Sequence, residues 1–140
     1  MDIKIKLSCS KVDWKLVADT LRKVEMGYHD PDLHKKAFEN SYVTVFLYQN
    51  NRMIGFGRAI SDGAYQAAIY DVAVNPEFQK KGLGNIIIEN ILERLPECNI
   101  ILYASPGKEG FYIKNDFRKM KTGMALFTNA QKMSEKGFTE

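Results

Sequence analysis

Residues 69–88 carry the residue types and spacing best suited to chemistry. A hydrophobic run leads through Asn75-Pro76-Glu77-Phe78 and then Gln79-Lys80-Lys81-Gly82-Leu83-Gly84-Asn85 into an amphipathic segment. Two glycines at the mouth of a helix let backbone approach a ligand closely. The first N–H groups of a helix also lack intrahelical acceptors and favour an anion. Lys80 and Lys81 add positive charge at the same place. Together these features describe a cradle for a pyrophosphate. Two related motifs do not fit: a dinucleotide fingerprint needs a third glycine where Ile87 stands, and a P-loop needs Ser or Thr where Glu109 follows Gly107-Lys108. Neither a nicotinamide cofactor nor a nucleoside triphosphate is implied.

The segment Gln79-Lys80-Lys81-Gly82-Leu83-Gly84 follows the pattern Gln or Arg, two residues, Gly, any residue, Gly or Ala, directly after Val72-Ala73-Val74. Farther on, Phe111-Tyr112 is followed by Asn115-Asp116-Phe117. On these marks the chain resembles the GNAT superfamily of acyl-CoA-dependent N-acetyltransferases over nearly its whole length. Asp116 departs from the pattern by standing where the family usually has glycine. The resemblance implies acetyl-CoA as co-substrate, with direct attack of an amine on the thioester in a ternary complex. It assigns the pantetheine arm to the backbone of Val72, Ala73 and Val74, and the pyrophosphate to N–H groups from Gln79 through Asn85. Ser105 stands where the family often has an Asn that contacts pantetheine; it keeps a hydroxyl with less reach.

An alkylamine with a pKa near ~10.4 is mostly protonated at pH 7, and neutralising it costs about 4–5 kcal/mol. A proton must therefore be removed, directly or through water. Asp71 is the carboxylate nearest the strand assigned to the pantetheine arm and is the candidate base, although strict strand alternation lets only one of Tyr70 and Asp71 face the cleft. Tyr112 is the candidate donor to the departing thiolate, by resemblance and because its hydroxyl is neutral. Arg58 and Asp62, flanking a hairpin, read either as substrate contacts or as a salt-bridged turn. Tyr28, with Trp14 and Phe38, reads as acceptor-pocket lining or as core. His29 and His34 read as surface histidines, and Cys9 and Cys98 as thiols outside the chemistry. A non-catalytic acyl-CoA sensor or partner-binding module is the alternative function.

These residues need a scaffold. Residues 3–7 alternate as a half-buried strand. Ser10 caps a helix bearing Trp14, Val17, Leu21 and Val24, and Asp30-Pro31 starts a second bearing Leu33, Ala37 and Phe38. Strands follow at 42–48, 53–60 and 65–74, with turns at Asn50-Asn51 and Ser61-Asp62-Gly63. A helix runs from Gly82 along Leu83, Ile86, Ile87, Ile91 and Leu95. Then come a strand at 99–104, a helix from Pro106 to about Asn115 and a last strand at 118–127, with a polar tail that frays. The order predicts one α/β domain over residues 1–140, a mixed, mostly antiparallel twisted sheet flanked by helices in the GNAT manner.

With 140 residues, 45% hydrophobic and 26% charged, the chain suits one folded domain rather than a disordered segment. No apolar run approaches a membrane span, and no secretory signal pattern opens the sequence. Two isolated cysteines and two histidines, in no ligand spacing, imply neither a disulfide framework nor a metal site. A net charge of +3 without a recognisable module argues against nucleic acid. The expectation is a cytoplasmic enzyme acting on a small-molecule amine, with sheet edges that permit a homodimer.

Overall fold

Asn50 and Asn51 both take positive φ, 50° and 63°. That two-residue turn matches the twist of paired strands. It joins β2 (Val43–Gln49) to β3 (Arg52–Ser61) in the computed structural model of the chain, which describes residues 2–140. The other strands are β1 (Lys4–Lys6), β4 (Gln66–Val74) and β5 (Asn99–Ile101). They form one sheet in the order β1-β2-β3-β4-β5, antiparallel except for the β4–β5 pair. The helices are α1 (Trp14–Lys23), α2 (Pro31–Glu39), α3 (Leu83–Glu93), α4 (Glu109–Lys114) and α5 (Ala130–Glu135). The mixed α/β architecture expected from the sequence is the one observed. The described residues fall into two compact units, one ending at Leu102 and the other running from Tyr103 to Glu140.

In the first unit, α1 and α2 cover one face of the sheet. Val17, Leu21, Phe38, Phe46 and Phe56 are buried together there, with Trp14 packed against them. The rings of Trp14, Phe38, Phe46 and Phe56 meet edge-on or tilted at 5.5–6.1 Å. Trp14 and Phe38 are therefore core. The apolar stripe of α3 covers the opposite face, where a side chain on Gly57 would meet Ile87 Cγ2 at 2.7 Å. Only a residue without Cβ lets the helix sit that close.

Several local expectations are corrected. α1 is capped by Asp13, whose carboxylate accepts from Leu16 N at 3.1 Å, and not by Ser10. The backbone turns left-handed at Lys11 (φ 58°), so the helix cannot begin at Ser10. β1 is an edge strand, and Ile5 on it is 45% exposed. On α2 the buried pair is His34 and Phe38, while Leu33 faces solvent.

In the second unit no strand forms at 118–127, where Met124 is 95% and Leu126 100% exposed. β-propensity makes a strand only when a partner completes its ladder. The expected fraying tail is instead α5, capped by Asn129 and closed by Gly137 (φ 86°), with Phe138 N donating to Met133 O. The rings of Tyr103, Phe127 and Phe138 pack edge-on against one another.

Candidate active site

The cradle is built from backbone. Asn75, buried, donates its N–H to Ile54 O at 2.8 Å and accepts from Glu77 N at 3.0 Å, which anchors a 3-10 turn at Pro76–Phe78. Gln79 Nε2 donates to Val74 O at 3.1 Å, tying the loop back to the strand. Lys80 (φ 63°) and Gly82 (φ 79°) then both turn left-handed. This concave run of backbone is the kind that collects N–H groups around an anion. Gly82 is the N-cap of α3 and has no side-chain cap. The first intrahelical bond is Ile86 N to Gly82 O, so the N–H groups of Leu83 and Gly84 precede it in the first turn.

The cradle fits a diphosphate. A Cβ at Gly82 would meet nothing within 4 Å, so no neighbouring group crowds that residue at the mouth of α3. Lys80 and Lys81 are exposed beside it, with Lys81 Nζ held 5.5 Å from the Phe78 ring centroid. Arg52 braces the same ring from 5.5 Å and pairs with Glu77 at 3.1 Å. The backbone N–H of Gln79 is directed at Pro76 O, so this residue contributes mainly by holding the loop.

Among the described residues, the strand before the cradle lacks a ladder partner along part of one edge. β5 pairs with β4 only at Gln66, Ala67 and Ala68, leaving the rest of that edge without a ladder. Asn75 N points to β3, so Ala73, two residues earlier, points its N–H and C=O the same way. Val72 and Val74 therefore turn theirs to the open edge, and Ala73 spends its own on the sheet.

Between the pairs Phe56–Ala73 and Arg58–Tyr70, β3 supplies Gly57 alone while β4 supplies Asp71 and Val72. This is a β-bulge, with Asp71 at φ 57°. The extra residue overturns the alternation expected for this strand, and both Tyr70 and Asp71 meet Arg58. Its Nε donates to Asp71 Oδ2 at 2.7 Å, and its guanidinium lies 5.3 Å from the Tyr70 ring and 5.6 Å from that of Phe38. Arg58 and Asp71 are thus committed to each other, and Asp71 could act as a base only from within an ion pair. Asp62 belongs elsewhere: its Oδ1 accepts from the N–H groups of Ala64, Tyr65 and Gln66, which lowers its pKa and makes it the knot of the hairpin. Tyr28 is exposed in the α1–α2 connection.

His34 is buried rather than superficial. Its Nε2 accepts the His29 N–H at 2.8 Å, and burial lowers its pKa, so the ring is held neutral. Cys9 and Cys98 are free thiols, and burial raises that of Cys9. A cavity of about 490 Å³ bordered by Cys9, Phe38, Ser41 and Thr44 touches none of the cradle residues. Among the described residues no three His, Cys, Asp or Glu gather to hold a metal ion, and no helix is long and apolar enough to cross a membrane.

In the second unit, Tyr112 sits on α4 between Phe111 and Phe117, at 5.0 and 5.8 Å between ring centroids. Burial pushes its hydroxyl pKa above the ordinary phenol value. Asp116 takes φ 69°, the conformation a glycine would adopt. Asp116 N donates to Ile113 O and Phe117 N to Tyr112 O, closing α4 in a Schellman motif. Ser105 lies in the turn before α4, its carbonyl accepting from Lys108 N. Asn75, the bulge and the buried His34 escaped sequence reasoning; the Asn-Pro pair signalled only that the strand ends.

Comparison with known proteins identifies the family. The family model "Acetyltransferase (GNAT) domain" matches residues 15–131. The uncharacterized N-acetyltransferase ycf52 of Pyropia yezoensis is 33% identical over 123 residues, covering 83% of this chain and 64% of the relative. The chloroplastic serotonin N-acetyltransferase 2 of rice is 30% identical over 116 residues, covering 77% and 58%. The chain thus spans less than two thirds of either relative. A probable acetyltransferase from Staphylococcus aureus shares the fold, with a TM-score of 0.80 at 24% identity over 90% of this chain and 99% of that one. The chain belongs to the GNAT acetyltransferase family.

Proposed function

We propose that the protein transfers an acetyl group from acetyl-CoA to a primary amine of a small molecule, in a ternary complex. One observation carries the reading: two left-handed residues, Lys80 and Gly82, open a helix N-terminus, uncrowded at Gly82, immediately after a strand whose edge is partly unladdered. The family match runs across both compact units, and we take them as one acetyltransferase domain. The rice relative's name, which specifies a small arylalkylamine, is what supports a small acceptor.

When bound, acetyl-CoA supplies an activated acyl thioester. Leu83 and Gly84 N–H groups hold the diphosphate, with Lys80 and Lys81 neutralising charge at the rim. Val72 presents its backbone N–H and C=O, and Val74 its N–H, to the pantetheine arm, the Val74 carbonyl being held by the Gln79 amide. Asp71 is engaged by Arg58, so the amine's proton leaves through water at the open edge of β4. Tyr112 takes its role from the family resemblance alone, as the hydrogen-bond donor that would face the thioester sulfur. A thiol near ~8.5 and a phenol near ~10 already make full transfer uphill by about 2 kcal/mol, and burial of Tyr112 steepens it. The proton therefore stays with the tyrosine as the negative sulfur develops.

CoA release measured over a panel of primary amines tests the reading. Tyr112→Phe should cut turnover roughly a hundredfold while sparing acetyl-CoA affinity. Equal turnover in wild type and variant removes Tyr112 from the reaction. No release with any amine, together with no acetyl-CoA-specific rise in melting temperature, sinks the whole assignment.

A further inference from the structure

We infer that Arg58 is a positioning residue, a latch that holds the β4 bulge in the shape that turns Val72 and Val74 to the open edge. The inference rests on the proposed reading only for what the edge binds; the latch itself is a matter of geometry. A bulge places one surplus residue in β4, and here that residue is Asp71 at φ 57°, a conformation side-chain-bearing residues adopt reluctantly. An unconstrained strand would relax the surplus by slipping its register. Such a slip would swing the backbone of the residues after it between β3 and the open edge.

Arg58 opposes the slip. It lies on β3 directly across from Tyr70, the last residue paired before the bulge. Its guanidinium is fixed on four sides: Asp71 Oδ2 at 2.7 Å, Ser41 Oγ at 3.4 Å, and the rings of Phe38 and Tyr70. The side chains of the pair are 17% and 20% exposed, against 50% and 68% for Arg52–Glu77, so solvent competes with it far less. Phe38 and Ser41 fix the latch to α2 and the segment after it, so the bulge is tied to the helical layer as well as to the neighbouring strand. A planar fork wedged between two rings is a geometry lysine cannot reproduce.

The test compares Arg58→Met, Arg58→Lys and Asp71→Gly with wild type, with Arg22→Met as control for a surface pair. Amide exchange is followed by mass spectrometry over peptides covering residues 69–75, and acetyl-CoA affinity by calorimetry. Arg58→Met should speed exchange in that stretch and weaken acetyl-CoA binding roughly tenfold, the equivalent of one charge-assisted hydrogen bond. Arg58→Lys should fall between it and wild type, and α1 peptides should be unchanged. If Arg58→Met does not fold, Asp71→Gly carries the test, since glycine takes the same φ without strain yet gives Arg58 nothing to hold; its 69–75 exchange should also quicken. Unchanged exchange in every folded variant overturns the latch. So does a raised KM for the amine with intact acetyl-CoA affinity, which would make Arg58 a substrate contact. Wild type that binds no acetyl-CoA would defeat the proposed function while leaving the exchange result to decide the latch.

Discussion

Gly57→Ala tests how tightly the sheet and α3 are matched. The new methyl would lie 2.7 Å from Ile87 Cγ2, 3.2 Å from Val72 Cγ2 and 3.3 Å from Ile91 Cδ1. Carbon atoms rest at about 3.5–4.0 Å, so the helix must withdraw by roughly 1 Å at Ile87. Ile87 and Ile91 are fully buried and cannot swing aside into solvent. Overpacking of this kind costs about 1–3 kcal/mol. At about 4 °C per kcal/mol for a chain of this size, the melting temperature should fall by roughly 4–12 °C. Because α3 opens at the cradle, its retreat should also displace the Leu83 and Gly84 amides and weaken acetyl-CoA binding several-fold. Calorimetry with and without acetyl-CoA reads both effects. Ile87→Leu moves the branch off Cβ and removes Cγ2, so the double variant should regain at least half the lost stability, a non-additivity expected of residues in contact. A melting temperature unchanged by Gly57→Ala, or losses that simply add in the double variant, would refute the close-approach argument.

Gly82→Ala puts a side chain at φ 79° in open space, so it should cost about 1–2 kcal/mol from backbone strain alone and weaken acetyl-CoA binding, measured by titration calorimetry. Asp116→Gly should do the opposite for stability, raising the melting temperature by relieving up to about 1 kcal/mol at the end of α4 without changing turnover. His34 has its pKa lowered by burial in the fold, so between its unfolded value of 6.5 and its lower folded one the unfolded chain binds more protons. That contribution is fully present above pH 6.5 and is lost as pH falls below it. His34→Gln should therefore flatten the drop in melting temperature between pH 7 and pH 5, and an identical drop in the variant would show that other groups cause it.

Much of the scaffold was legible because its signals are local. Asn50-Asn51 specifies its turn through the tolerance of Asn for positive φ, and Asp30-Pro31 specifies the start of α2 through a cap and a missing N–H. The cradle was legible for the same reason: Gly82 and the first turn of α3 lie within a few residues of each other, and their backbone geometry follows from residue type. Long-range packing was less readable. The helix expected to bear Leu33, Ala37 and Phe38, with His34 at the surface, instead buries His34 and exposes Leu33, because a short helix with few apolar residues leaves its rotation to whatever it packs against.

Sequence alone thus determined the fold class, the left-handed turn at Gly82 that opens α3 and, through the resemblance carried by residues 79–84, the family. Only the tertiary structure decided how the loop's neighbours are used. The bulge at Asp71 depends on one surplus residue between two pairings of separate strands, and a single inserted residue inverts every facing deduced from alternation. Arg58 and Asp71, thirteen positions apart, became partners only through that pairing. The segment 118–127 has a strand's composition and no strand's hydrogen bonds, since a ladder is a property of two chains of backbone, and one sequence segment specifies only half of it.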